Sequence, residues 1–156
     1  MKKIKKYLSM LVIVFSILLL TGCGEKPSIT TETFVDTMIS SGYNVVDKKD
    51  ERLEYDYITT VEVAVSQDYT HQIEFYVLST EDYAKGFYTN NKALFQAAKN
   101  ASSQDAEESK SNYSKYALNT GDSYKVISRI GNTVIYADVA IDYHDEVKSI
   151  IEGFGY

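Results

Sequence analysis

The chain has 156 residues and a net charge of −6, with one Cys, one Pro, no Trp and 14 Tyr. That length and an ordinary balance of apolar and charged residues suit one globular domain. The acidic balance argues against nucleic acid, whose phosphates require a basic footprint. A lone cysteine excludes an intrachain disulfide framework and any zinc site built on paired cysteines.

The first segment in chain order is an address. Lys2, Lys3, Lys5 and Lys6 make a positive start with no acid to offset it. An apolar run from Leu8 to Leu20 follows, interrupted only by Ser9 and Ser16. It falls short of the ~20 residues a membrane-spanning helix needs, but it matches the apolar region of a secretory signal. Then comes Leu20-Thr21-Gly22-Cys23. This tetrad resembles the lipobox of bacterial lipoproteins, in which two small residues admit the chain to a peptidase and the thiol takes a lipid. The resemblance covers residues 1–23 only. It implies removal of residues 1–22 as a signal peptide, lipidation of Cys23, and a lipid-anchored protein on the extracytoplasmic face of a bacterial cell membrane. Two acyl chains hold stably where one does not. The competing readings are an uncleaved anchor at 8–20 and an unmodified Cys23 thiol.

Losing four Lys and no acid takes the net charge from −6 to −10 in the mature chain. Such a domain is repelled by anionic lipid, and nothing near Cys23 forms a polybasic patch. Residues 23–29 read as the lipidated Cys and a short tether, with Gly24, Pro27 and Ser28 as loop signals.

Residues 30–156 read as a single α+β domain. Phe34, Val35, Met38 and Ile39 form a helical stripe that Thr30 or Thr31 can cap and Gly42 can end. A short strand at Tyr43–Val46 follows. Leu53, Tyr55, Tyr57, Val61, Val63 and Val65 share parity, the mark of a strand with one buried face. Residues 58–66 and 70–78 then suit an antiparallel hairpin. Tyr83, Ala84, Phe87, Tyr88, Asn91, Leu94, Phe95 and Ala98 lie on one helical face, with Ser79 and Asp82 at capping-box spacing. The polar stretch 100–112 lacks periodicity and reads as a mobile loop. Strands at Tyr113–Leu118, Ser123–Ile130 and Thr133–Ala140 follow, the last two joined by a Gly131-Asn132 turn of type II′. A final helix capped by Asp142 buries Val147, Ile150 and Ile151, and Phe154 can fold back on the core. The order α-β-β-β-α-β-β-β-α predicts an antiparallel sheet with helices packed on one face, and it admits a reading as two αβββ units.

No catalytic motif stands out, and no catalytic, cofactor-binding or metal-binding residue is assigned. His71 reads as a partly buried edge residue; the sharper alternative is a catalytic base. His144 begins the last helix, where acids are favoured by capping and the macrodipole. Its sharper alternative gathers Asp138, Asp142, His144 and Asp145 around a divalent cation. Tyr55, Tyr57, Tyr83, Tyr88, Tyr124 and Tyr136 suit either half-buried packing or a tyrosine-lined groove for a peptide, glycan or small ligand. Three functions follow. The first is a noncatalytic binding or accessory module at the cell envelope, with an envelope protein or small ligand as partner. The second is a metal- or histidine-dependent cell-wall hydrolase, and the third a structural subunit of a membrane complex.

Overall fold

Thr30 starts the first helix by accepting the Thr33 N–H at 3.1 Å through its hydroxyl. The computed structural model describes residues 25–52 and 54–156, so the signal-peptide assignment and Cys23 lie outside the described residues. Helix α1 (Thr31–Ser40) ends at Gly42, whose φ of +89° is the left-handed value that a β-carbon disfavours. Strands β1 (Asn44–Asp47), β2 (Ile58–Val65) and β3 (Gln72–Leu78) precede helix α2 (Glu81–Ala97). Strands β4 (Gln104–Ser109), β5 (Tyr113–Asn119), β6 (Ser123–Ile130) and β7 (Thr133–Ala140) follow, then helix α3 (His144–Gly153). The strands form one antiparallel sheet in the order β1-β2-β3-β7-β6-β5-β4. The fold is α+β, with helices packed against the sheet.

Those helices divide between the two faces of the sheet rather than gathering on one. Phe34 and Met38 of α1, with Val147 and Ile151 of α3, pack on Ile73, Phe75, Val126 and Ile135. Ala84, Tyr88 and Phe95 of α2 pack with Tyr76, Leu118, Ile127 and Val134. Successive strand residues point to opposite faces, so the neighbours Phe75 and Tyr76 enter different cores. A sheet buried on both sides carries adjacent apolar residues, as at Val126-Ile127 and Val134-Ile135. Phe34 stacks on Phe75 with ring centroids 5.0 Å apart, and Phe154 returns to pack 5.5 Å from Phe34.

Three expectations need correction. Residues 100–112 are not a loop throughout, because β4 pairs with β5 from Gln104↔Asn119 to Ser109↔Ser114. All six β4 residues are exposed, so this edge strand buries no face and leaves no alternation to read. The second half of the chain thus has four strands, and its leading helix lies on the opposite face from α1. The two halves therefore do not repeat as equivalent αβββ units. Helix caps also shift: Thr80, not Ser79, accepts the Tyr83 N–H, while Asp142 sits in a short 3-10 turn (Ile141–Tyr143) and caps nothing.

Two sequence-level expectations hold closely. The β2–β3 hairpin forms, with Val65 opposite Gln72. At the β6–β7 turn only Gly131 takes a positive φ, +56°, as a type II′ turn requires of its first central residue.

Candidate functional site

Tyr55 and Tyr57 share the parity of β2 but precede it, and a register shift between Ile58 and Thr60 separates them from the regular ladder. Freed from the sheet, their rings turn toward α2. Tyr57 stacks on Tyr83 with centroids 4.9 Å apart and planes 10° from parallel, and Tyr55 tilts against Tyr57 at 5.7 Å. Deeper in, Tyr76 of β3 meets Phe87 of α2 at 4.7 Å. Together with Asp82, Asn90 and Asn91 these rings line a groove of about 600 Å³.

Two features of α2 shape the groove. Gly86 faces it, and a β-carbon placed there would meet nothing within 4 Å. A glycine inside a helix costs about 0.5–1 kcal/mol relative to Ala, and here it widens the cleft. Tyr83 remains 51% exposed and Tyr55 40%, so two of the five rings face water. Among the described lining residues there is one carboxylate, Asp82, and no cation. Such a wall favours a neutral or cationic group: ring faces attract apolar C–H and positive charge, and the amides supply donors and acceptors.

The two histidines lie elsewhere. His71 immediately precedes β3 at the other end of the sheet, buried in a recess of about 430 Å³ with Tyr43, Ser66, Asp68, Tyr143 and Glu146. Its ring stacks on Tyr143 at 4.2 Å and meets the edge of Tyr43. The Tyr43 hydroxyl donates to Glu146 Oε1 at 2.6 Å and lies 2.7 Å from His71 Nε2, while Thr70 Oγ1 lies 3.1 Å from His71 Nδ1. Ser66 and Thr70 both donate their hydroxyl protons to Asp68, each at 2.7 Å. These bonds hold the Asp68 carboxyl below its ordinary range. Burial first, then the bond to Glu146, pushes the Tyr43 phenol up. Both His71 ring nitrogens and the Tyr43, Ser66 and Thr70 hydroxyls lie within hydrogen-bond distance of neighbours, so the recess ties the β2–β3 turn to Tyr43 and α3.

His144 sits at the first turn of α3, with its ring 4.4 Å from Tyr124 and Nδ1 2.9 Å from Asp145 Oδ1. The carboxylate of Asp138 instead pairs with Lys125 across the β6–β7 ladder at 2.5 Å. Among the described residues no three of His, Cys, Asp and Glu come together in a way that could hold a metal ion.

Of the six tyrosines singled out above, Tyr55, Tyr57 and Tyr83 gather at the groove, whereas Tyr88 and Tyr124 are buried and Tyr136 half-buried. Burial, aided by Glu152, pushes the Tyr124 phenol up to about 12. Tyr76 and Phe87 complete the groove without having been marked as site residues. The available signal was Gly86 inside a helical pattern, beside the Tyr55–Tyr57 pair. Comparison of the chain with protein-family models, with curated proteins and with solved structures gives no match in any of the three.

Proposed function

We propose that this chain is a membrane-anchored extracytoplasmic lipoprotein acting as a noncatalytic binding or accessory module at the cell envelope. The tyrosine groove is its contact site. The observation that carries the binding reading is the groove itself. Five aromatic rings, two amides and one carboxylate converge there on an open volume near that of a typical small-ligand site. The anchor rests on the Leu20-Thr21-Gly22-Cys23 tetrad and the charged, apolar run before it. Among the described residues no helix is long and apolar enough to cross a membrane.

A second reading, a histidine-dependent hydrolase, draws on the recess around His71. The geometry weighs against it: both ring nitrogens face neighbouring hydroxyls, Tyr43 at 2.7 Å and Thr70 at 3.1 Å, and the Ser66 hydroxyl donates to Asp68. A general base needs one nitrogen aimed at a substrate proton.

The test of the anchor is Cys23→Ala in the full chain, followed by membrane fractionation after a high-salt wash. The expected result is loss of processing or of membrane retention. Retention of the variant in washed membranes would defeat the lipoprotein reading.

A further inference from the structure

The residues next to the proposed anchor are not slack. The Lys26 N–H donates to Asn112 Oδ1 at 3.2 Å and Asn112 Nδ2 donates back to the Lys26 carbonyl at 2.8 Å. Lys26 Nζ reaches the Gly155 carbonyl at 3.1 Å and lies 3.5 Å from the centre of the Tyr113 ring. Four contacts thus clamp Lys26, three residues after Cys23, onto the β4–β5 turn, the start of β5 and the C-terminal Gly155. Three residues of extended backbone span at most ~10 Å. A lipid on Cys23 therefore draws this one end of the sheet to within about that distance of the headgroups.

The same end carries the groove, and a relay of hydrogen bonds connects them. The Gly131 N–H donates to the Asn112 carbonyl at 2.8 Å, the Leu78 N–H to the Asn132 carbonyl at 2.9 Å, and the Ser79 N–H to the Tyr57 carbonyl at 2.8 Å. The Asn132 side chain ties back to the Leu78 carbonyl at 2.8 Å. The line runs from Lys26 through the turns after β4, β6 and β3 to the stacked Tyr57–Tyr83 pair. It crosses four strand spacings, or about 19 Å. The His71 recess lies at the far end of strands that run about 23 Å.

We infer that the membrane-facing surface of this domain is the end of the sheet formed by the Lys26–Asn112 clamp, the Gly131-Asn132 turn and the rim of the tyrosine groove. Its partner is the lipid headgroup layer. The inference rests on the proposed lipid anchor and deepens it. One short tether alone lets a domain tip onto its side. A second contact at the same end keeps it upright, and the half-exposed rings of Tyr55 and Tyr83 provide one. Tyrosine seats at a bilayer interface because its ring is apolar and its tip polar. A mature chain of net charge −10 is not drawn in by anionic lipid, so the contact is with neutral headgroups and persists in salt.

The experiment uses the full chain, processed in a bacterial host and reconstituted into phosphatidylcholine vesicles that carry a quencher on the headgroup. Fluorescent labels are placed one at a time through Ser111→Cys, Ser79→Cys or Asp122→Cys, all exposed positions. The mass of the N-terminal peptide reads the lipid separately. The expected result is a lipidated N-terminus, with most emission lost at 111 and 79 and retained at 122, in low and high salt alike. Combining Lys26→Ala with Asn112→Ala should then shrink the difference between the two ends. A lipidated protein quenched equally at both ends, or at 111 but not at 79, overturns the orientation and leaves the anchor standing. An unmodified N-terminus overturns the anchor and the inference with it.

Discussion

The tyrosine groove and the His71 recess lie at opposite ends of one sheet and use the same side-chain chemistry in opposite ways. Around His71, tyrosine and hydroxyl groups are consumed by one another, with Tyr43 bridging His71 and Glu146 and Asp68 gathering two hydroxyls. In the groove, Tyr55, Tyr57 and Tyr83 meet through their rings, and their exposed edges face a volume that the protein leaves open. A cluster that satisfies itself holds a fold together, whereas one that stops short of closure can take a ligand or a surface. The histidine that sequence reasoning treats as a candidate base thus belongs to the structural recess, and tyrosines explicable as packing form the open one.

The largest expected effect calibrates the α2 core beneath the groove. Phe95 is 4% exposed, so Phe95→Ala should cost about 3–5 kcal/mol. Phe87 lies half-buried at the groove wall against Tyr76, so Phe87→Ala should cost clearly less. Denaturant melts of the two variants check the order. Equal costs would mean that the groove wall is as much core as the rest of α2.

Breaking the closed recess should come next. Tyr43→Phe removes the hydroxyl between His71 and Glu146 and strands a buried imidazole nitrogen. The expected destabilisation is about 1–3 kcal/mol. The recess also carries a pH signature. Asp68 is depressed in the folded chain by hydroxyl bonds from Ser66 and Thr70, and Asp105 by its bonds from Lys99 and Tyr116. A carboxyl more acidic folded than unfolded stabilises above its unfolded value, near 3.9 for Asp. That contribution fades as pH falls through the folded value, because the unfolded chain then binds the extra proton. Unfolding midpoints should therefore decline below about pH 4, and less steeply in Asp68→Asn. Identical acid profiles would remove Asp68 from the account.

The smallest stability change should separate folding from function. Gly86→Ala adds a methyl where there is open space and removes a helix-interior glycine, so stability should rise by about 0.5–1 kcal/mol. The same methyl intrudes into the groove, so function should fall while the melt improves. A more stable variant with undiminished function would argue that the groove is not the contact site.

Much of this fold was legible from periodicity, for a reason visible in β6 and β7. Their apolar residues are dense, their turn chemistry is explicit, and the elements at Ser123–Ile130 and Thr133–Ala140 form as the pattern suggests. The edge strand β4 was illegible because backbone pairing and exposed polar contacts recruit it, and QDAEES buries nothing. The second buried face was written in apolar doublets such as Val126-Ile127, which a one-face reading treats as noise. The groove was half legible: a tyrosine excess was evident, but the parity of Tyr55 and Tyr57 mimicked a strand that starts only at Ile58. Exposure of Tyr83 and Leu94 on the apolar stripe of α2 follows from the sheet covering only part of that helix.

The most direct measurement is complementation of a strain lacking this chain, comparing two folded double variants. One is His71→Gln with His144→Gln, and the other is Tyr57→Ser with Tyr83→Ser. If the groove carries function, the histidine variant restores the phenotype and the tyrosine variant, present at equal membrane abundance, does not. Restoration by the tyrosine variant and failure of the histidine variant would contradict the account and return the function to the His71 recess.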